Sequence, residues 1–247
     1  MSFDKYFWGH VNLEGKVILD VGAGKGATTM KVLEKMSSQG AEGMIIAIDV
    51  DSDSLMFAKG KVARTQRVGI VEFITADASH MPLRDESIDL IVSSRALADM
   101  NSPPCHLVKV LAELYRVLKG RGRVILSDEC PIIKPAKEEE LAFLRWKLAK
   151  AISHIIGREH AHEVDPNDLE FIMKLIGFKR IRWKIFKGEL LTSERMESFI
   201  KISMDLISRI DDPKMREAFL HNLKQLWEAF KEKEGFLPPR YILHAQK

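Results

Sequence analysis

A chain of 247 residues, 46% hydrophobic and 30% charged, fits one α/β domain with elaborations, or at most two small ones, and is too rich in core-forming residues to be disordered. The 38 Lys and Arg against 35 Asp and Glu leave a net charge of +3, which does not call for a nucleic-acid partner. Two cysteines, Cys105 and Cys130, make neither a disulfide framework nor a zinc motif; with no apolar run of membrane-spanning length and no signal-peptide layout, a cytoplasmic protein without metal or membrane is expected.

Residues 1–14 bring Phe3, Tyr6, Phe7, Trp8 and His10 ahead of the first strand. They read either as an arm pinned by aromatic burial or as a flap that sets Tyr6 or Trp8 near a bound cation. Val17–Val21 is an apolar run suited to a buried parallel strand, and it ends in Gly22, Gly24 and Gly26. A helical pattern follows to about Ser38, with Met30, Leu33 and Met36 on one face. Glycine tolerates positive φ and lets backbone approach a ligand closely. The helix start aims free N–H groups and its positive dipole end at the same spot, so the segment is a cradle for a nucleotide or nucleoside. A P-loop is excluded, because Gly24-Lys25 runs into Gly26 and Leu19 stands where that motif needs glycine. Gly22, Gly24 and Ala27 do satisfy the dinucleotide pattern, and that alternative stays open on this segment alone.

Met44–Asp49 reads as a second strand, with Asp49 at its tip to accept hydrogen bonds from ribose hydroxyls. Asp51 and Asp53 suit the cap of a helix over Ser54–Val62. Val71–Thr75 is a third strand and Ile88–Ser93 a fourth, beyond which Ser94, Arg95 and Asp99 lie at the edge where ligands sit in open sheets. Asn101 or Ser102 caps the next helix, with Pro103 in its first turn and Leu107, Leu111, Leu114 and Leu118 facing the core. Pro103-Pro104-Cys105 therefore reads as a helix start and not as a nucleophile. A fifth strand over Gly122–Asp128 delivers Glu129 and Cys130 to the ligand edge.

The second half has a different texture. Glu138–Ile156 is an amphipathic helix, and 157–165 a polar loop holding His160 and His162. Pro166 opens a helix that ends at Gly177, and Phe178–Phe186 alternates as a half-exposed strand. Ser193–Ile210 and Pro213–Lys233 are two more helices, and Pro239–Ala245 is a last strand. His160, His162 and Glu129 are the candidates for a base near the acceptor; a solvated loop is the plainer account of both histidines.

Three runs carry a family resemblance: Leu19-Asp20-Val21-Gly22-Ala23-Gly24-Lys25-Gly26; Ala76-Asp77-Ala78 followed by Met81-Pro82-Leu83 and Ser87-Ile88-Asp89-Leu90-Ile91-Val92-Ser93; and Glu113-Leu114-Tyr115-Arg116-Val117-Leu118-Lys119-Gly120. Together they resemble the class I S-adenosylmethionine-dependent methyltransferases, in style those of the ubiquinone/menaquinone type. The resemblance implies a Rossmann-like α/β fold: a seven-stranded, mostly parallel sheet whose antiparallel last strand lies between the fifth and sixth. It implies one domain over 1–247, with 15–130 as cofactor core and 131–165 and 190–236 as helical cap elements. S-adenosylmethionine is the implied cofactor. Asp20 and the backbone at Gly22, Gly24 and Gly26 would take its methionine end, Asp49 the ribose, and Asp77 and Ala78 the adenine, with Ser94 alongside. Tyr6, Arg95, Asp99 and Cys130 would meet a small-molecule acceptor. The alternatives are an RNA or protein methyltransferase on the same fold, or a module that binds the cofactor without turnover.

Overall fold

Lys16–Val21 (β1) is buried along its last four residues and lies inside a seven-stranded sheet. The other strands are Gly43–Asp49 (β2), Val71–Thr75 (β3), Ile88–Ser94 (β4), Leu118–Glu129 (β5), Lys179–Phe186 (β6) and Arg240–Gln246 (β7). Their order is β3-β2-β1-β4-β5-β7-β6, with six strands parallel and β7 antiparallel. The computed structural model describes residues 1–65, 70–103, 106–131, 135–158, 161–233 and 235–247. Cys105 and His160, both singled out above, lie outside the described residues.

Strands covered on both faces read as unbroken apolar runs, which is why β1 and β4 were visible in the sequence. Ile18, Leu19, Val21, Ile91 and Val92 have no exposed surface. The edge strand β6 instead leaves all eight of its residues exposed or half-buried. The register pairs Asp20 with Ala47 and with Val92, so the carboxyl ends of β1, β2 and β4 finish at one edge.

The chain divides into two compact units. The first comprises Met1–Glu129, His162–Ile185 and Tyr241–Lys247, and contains the sheet. Its helices are Phe3–Trp8 (α1), Ala27–Gln39 (α2), Ser52–Val62 (α3), Leu97–Met100 (α4), His106–Val117 (α5) and, after a gap in the unit, Pro166–Ile176 (α7). Asp51 caps α3 by accepting from the N–H groups of Asp53 and Ser54. In α1, Phe7 and Trp8 are buried, and the Tyr6 carbonyl meets His244 Nε2 at 3.0 Å. The N-terminal aromatic group is thus pinned to β7; burial lowers the pKa of the His244 imidazole to about 4.

Two boundaries differ from the sequence expectation. Within the described residues α5 starts at His106, because Ser102 already donates its N–H to the Asp99 carbonyl and completes the turn after α4. Likewise β5 begins at Leu118, which pairs with Ile88, and the chain passes through Arg121 at φ 66° before running straight. Gln246 Nε2 donates to the Arg121 carbonyl and holds that bend.

The second unit, Cys130–Ala161 and Phe186–Arg240, is helical. It holds Glu140–Ile155 (α6), Ser193–Ser208 (α8) and Pro213–Glu232 (α9). Thr192 and Asp212 cap α8 and α9 through the N–H groups of Arg195 and Met215. Leu141, Met196 and Leu226 pack in one apolar cluster, and Ile152, Ile207 and Leu223 in another. No described helix is long and apolar enough to cross a membrane.

Candidate active site

The loop after β1 turns back on itself through three glycines with positive φ: 70° at Gly22, 49° at Gly24 and 78° at Gly26. At Gly22 and Gly26 the space also forbids a side chain, since a Cβ would sit 2.3 Å from Ala96 Cβ at the first and 2.8 Å from Ala58 Cβ at the second. The loop is tied to the neighbouring strand end. Asp49 Oδ2 accepts the Gly24 N–H at 2.7 Å, and its Oδ1 accepts the Asp51 N–H at 2.9 Å.

A cavity of about 520 Å³ opens above these strand ends. Gly22, Gly24, Asp49, Asp77, Ala78, Arg95 and Asp99, all expected from sequence, line it. Met100, Ser102, His106 and Val110 complete the wall. Asp77 keeps its carboxylate low in pKa, mainly because the Ser79 N–H donates to Oδ1 at 2.7 Å. Its other oxygen lies 3.9 Å from His106 Nε2, and His106 Nδ1 is 3.1 Å from the Met100 carbonyl. A carbonyl can only accept, so Nδ1 carries the proton and Nε2 is the nitrogen turned to Asp77.

Other expected residues lie elsewhere. Asp20 is fully buried and does not line the cavity. It stands behind the loop, where Thr29 Oγ1 donates to its Oδ2 at 2.6 Å and its Oδ1 finds no hydrogen-bond partner among the described residues. Burial raises its pKa to about 7, with the nearby Asp49 charge adding to the rise. Gly26 and Ser94 are likewise not in the lining; Gly26 instead packs its α-carbon side against Ala58. Tyr6 is held at β7, and Glu129, Cys130 and His162 are not lining residues. His162 donates its backbone N–H to the Ala98 carbonyl, and Asn101 Nδ2 donates to the His162 carbonyl, so its loop is fastened to α4. Among the described residues no group of three His, Cys, Asp or Glu is placed to hold a metal ion.

Two residues that sequence reasoning passed over shape the wall. Asp128, buried at the end of β5, accepts the Ala98 N–H at 3.1 Å and the Glu129 N–H at 2.7 Å. It thereby fixes α4, whose flanks Ala96 and Met100 line the cavity; burial raises its pKa to about 6. His106 carried no local signal, because its partner Asp77 follows a different strand. Across the loop, Arg116 donates to Asp85, to Glu113 and to the carbonyls of Met81 and Leu83. Two of the sequence motifs noted above are thus one hydrogen-bonded unit.

The profile of a family described as methyltransferase domain matches residues 12–174. The chain belongs to that family. It is a class I S-adenosylmethionine-dependent methyltransferase. A ubiquinone/menaquinone biosynthesis C-methyltransferase of Rickettsia prowazekii is 26% identical over 187 residues, covering 70% of this chain and 73% of the relative. One from Vibrio campbellii is also 26% identical, over 75% and 73% of the two chains. Among solved structures, the YcgJ protein of Bacillus subtilis superposes with a TM-score of 0.62 at 18% identity, covering 94% of this chain and 92% of its own. A SAM-dependent methyltransferase from Archaeoglobus fulgidus gives 0.56 at 18% identity over 99% and 90%. These structures share the methyltransferase's fold.

The cavity fits the cofactor on its own chemistry. Gly22 and Gly24 keep the loop free of side chains, Asp49 offers carboxylate lone pairs at the tip of β2, and Asp77 stays ionised at the tip of β3.

Proposed function

We propose that this methyltransferase alkylates a small-molecule acceptor by direct displacement, with the acceptor entering along the wall formed by Arg95, Asp99, Ser102 and His106. The observation that carries the proposal is the shape of the lining. One side is the glycine loop with Asp49 and Asp77, and the other carries Arg95, Asp99, Ser102 and His106. The bound cofactor supplies a methyl group already activated on a sulfonium. The chain's task is then to hold both reactants in line and keep water out. Asp49 serves the ribose, Asp77 and Ala78 the adenine, and the backbone at Gly22 and Gly24 the methionine end. If the acceptor must lose a proton, Asp99 and His106, which both line this wall, are the groups assigned to take it.

The relatives are named for C-methylation in ubiquinone and menaquinone biosynthesis. On that likeness we assign as first acceptor class an electron-rich hydroxylated aromatic ring, methylated at carbon. We also assign acceptor choice to the helical segments 131–165 and 190–236, as parts of a single catalytic domain. Connectivity supports this: the chain leaves the sheet after β5 and again after β6, both at their carboxyl ends. Substitutions in 190–236 should then change acceptor preference while S-adenosylhomocysteine affinity stays the same.

The donor half is tested by calorimetry. Wild-type protein should bind S-adenosylhomocysteine, with NAD(H) far weaker. Asp49→Ala should bind it about 10- to 150-fold more weakly, the worth of hydrogen bonds to a charged group. Unchanged affinity would remove Asp49 from the ribose site. The acceptor half is tested with labelled methyl donor against hydroxylated quinone precursors. Labelled product on oxygen or nitrogen alone would overturn the carbon assignment.

A further inference from the structure

From Leu141 to Arg158 the chain carries Arg145, Lys147, Lys150 and Arg158 and not one carboxylate, although acidic and basic residues are nearly equal overall at 35 and 38. Most of this run is α6; Arg145 packs over the Phe199 ring of α8, while Lys147 and Lys150 sit with aromatic rings of α6 itself. The Lys150 ammonium lies 4.2 Å from the Trp146 ring centroid, and Lys147 lies 5.3 Å from that of Phe143. Beside this stripe a cleft of about 480 Å³ runs between α6 and α9. Leu144, Leu148, Ala151, Phe219, Leu226 and Ala229 make most of its wall, and Lys147 stands at its rim. Leu144 is 51% exposed there and Ile155, further along the helix, is 42% exposed.

We propose that this face of α6 docks on an anionic lipid bilayer, with the cleft taking an acyl chain. A helix of this kind, with amphipathic aromatic rings between lysines and apolar side chains, lies in the headgroup plane: the rings and aliphatic stems enter the boundary while the ammonium groups meet lipid phosphates. Charge selects this occupant over the others. A second copy of the chain docked α6 against α6 would bring two sets of lysines together with no carboxylate of 141–158 to answer them. A nucleic acid would answer the charge and leave the apolar cleft uncovered. That no described helix is long and apolar enough to cross a membrane does not bear on a surface contact. The inference is independent of which acceptor the enzyme methylates, since binding is read without turnover.

The experiment is co-sedimentation of the full chain with vesicles of phosphatidylcholine alone and of phosphatidylcholine with phosphatidylglycerol. The protein should pellet with the anionic vesicles, stay in solution with the neutral ones, and be released by salt. Lys147→Gln with Lys150→Gln should weaken anionic binding about 30-fold. Leu144→Ser should weaken it while leaving the salt dependence of what remains unchanged. Both variants should keep wild-type S-adenosylhomocysteine affinity and melting temperature, which separates lost docking from lost folding. No binding to either vesicle overturns the proposal. So does equal binding to both that the lysine variant does not change. So does sedimentation showing a dimer that the same variants dissociate, because the face would then belong to a second copy.

Discussion

Asp20→Asn should flatten the pH dependence of unfolding between about pH 4 and about pH 7. The unfolded chain ionises this carboxyl near 3.8, whereas the folded chain does so only near 7, because ionisation must occur in a fully buried site with one oxygen unpartnered. A raised carboxyl favours the fold while it is neutral. Its contribution is therefore complete below the unfolded value, erodes as pH rises, and is gone above about 7. The shift is worth on the order of 4 kcal/mol. Asn keeps an oxygen for the Thr29 hydroxyl and never ionises, so the variant should gain on wild type steadily across that window. Asp128, raised to about 6, gives wild type and variant alike a second, smaller decline. The lowered carboxylates Asp77 and Glu113 act in the opposite sense, losing their stabilisation as pH falls. Subtracting denaturant-derived stabilities of variant and wild type at each pH cancels these shared terms. Parallel curves would show that Asp20 does not titrate where its surroundings place it.

Gly22→Ala should be strongly destabilising and should damage the cavity wall as well. The new Cβ would meet Ala96 Cβ at 2.3 Å and the Met100 terminal methyl at 2.8 Å, and the residue would also be held at φ 70°. Overpacking and left-handed strain together come to about 2–5 kcal/mol. Gly24→Ala is the internal control. Its φ is 49°, but the nearest atom to its Cβ is Asp49 Oδ2 at 4.0 Å, so only the strain remains, about 1–2 kcal/mol. Ala96 and Met100 line the cavity, so Gly22→Ala should also weaken S-adenosylhomocysteine binding by calorimetry. Equal stability losses at the two glycines would mean that the wall yields and that close packing is not what Gly22 provides.

The sheet was legible because its inner strands are covered on both faces and so carry apolar runs that end at marked turns. Asp49 and Asp77 were legible for a related reason: a carboxylate at the tip of such a strand has one edge to face. Asp20 shows where this reasoning stops. Sequence places it beside the glycine loop but does not say which side of a tight loop it takes, and the Thr29 hydroxyl holds it on the inner one. His106 and Asp128 depend on partners remote in sequence, Asp77 in the loop after β3 and the helix α4, and no local pattern announces a contact of that kind. The short helix α4 is a further instance: its N-terminal N–H group is answered by a distant carboxylate, so it carries no cap of its own.

The strand order has a consequence for synthesis. In the row β5-β7-β6, the sixth strand reaches the sheet only through the seventh, and more than fifty residues of chain separate the two (186 to 240). While the ribosome is still making 187–239, β1 to β5 can pair, but β5 presents an open row of N–H and C=O groups and β6 has no neighbour to join. Such an edge invites pairing with another nascent chain. Arrival of Arg240–Gln246 seals both sides at once, with every residue but Gln246 buried. Chains that stop short of that strand should therefore collect in aggregates during expression rather than accumulate as a smaller soluble enzyme.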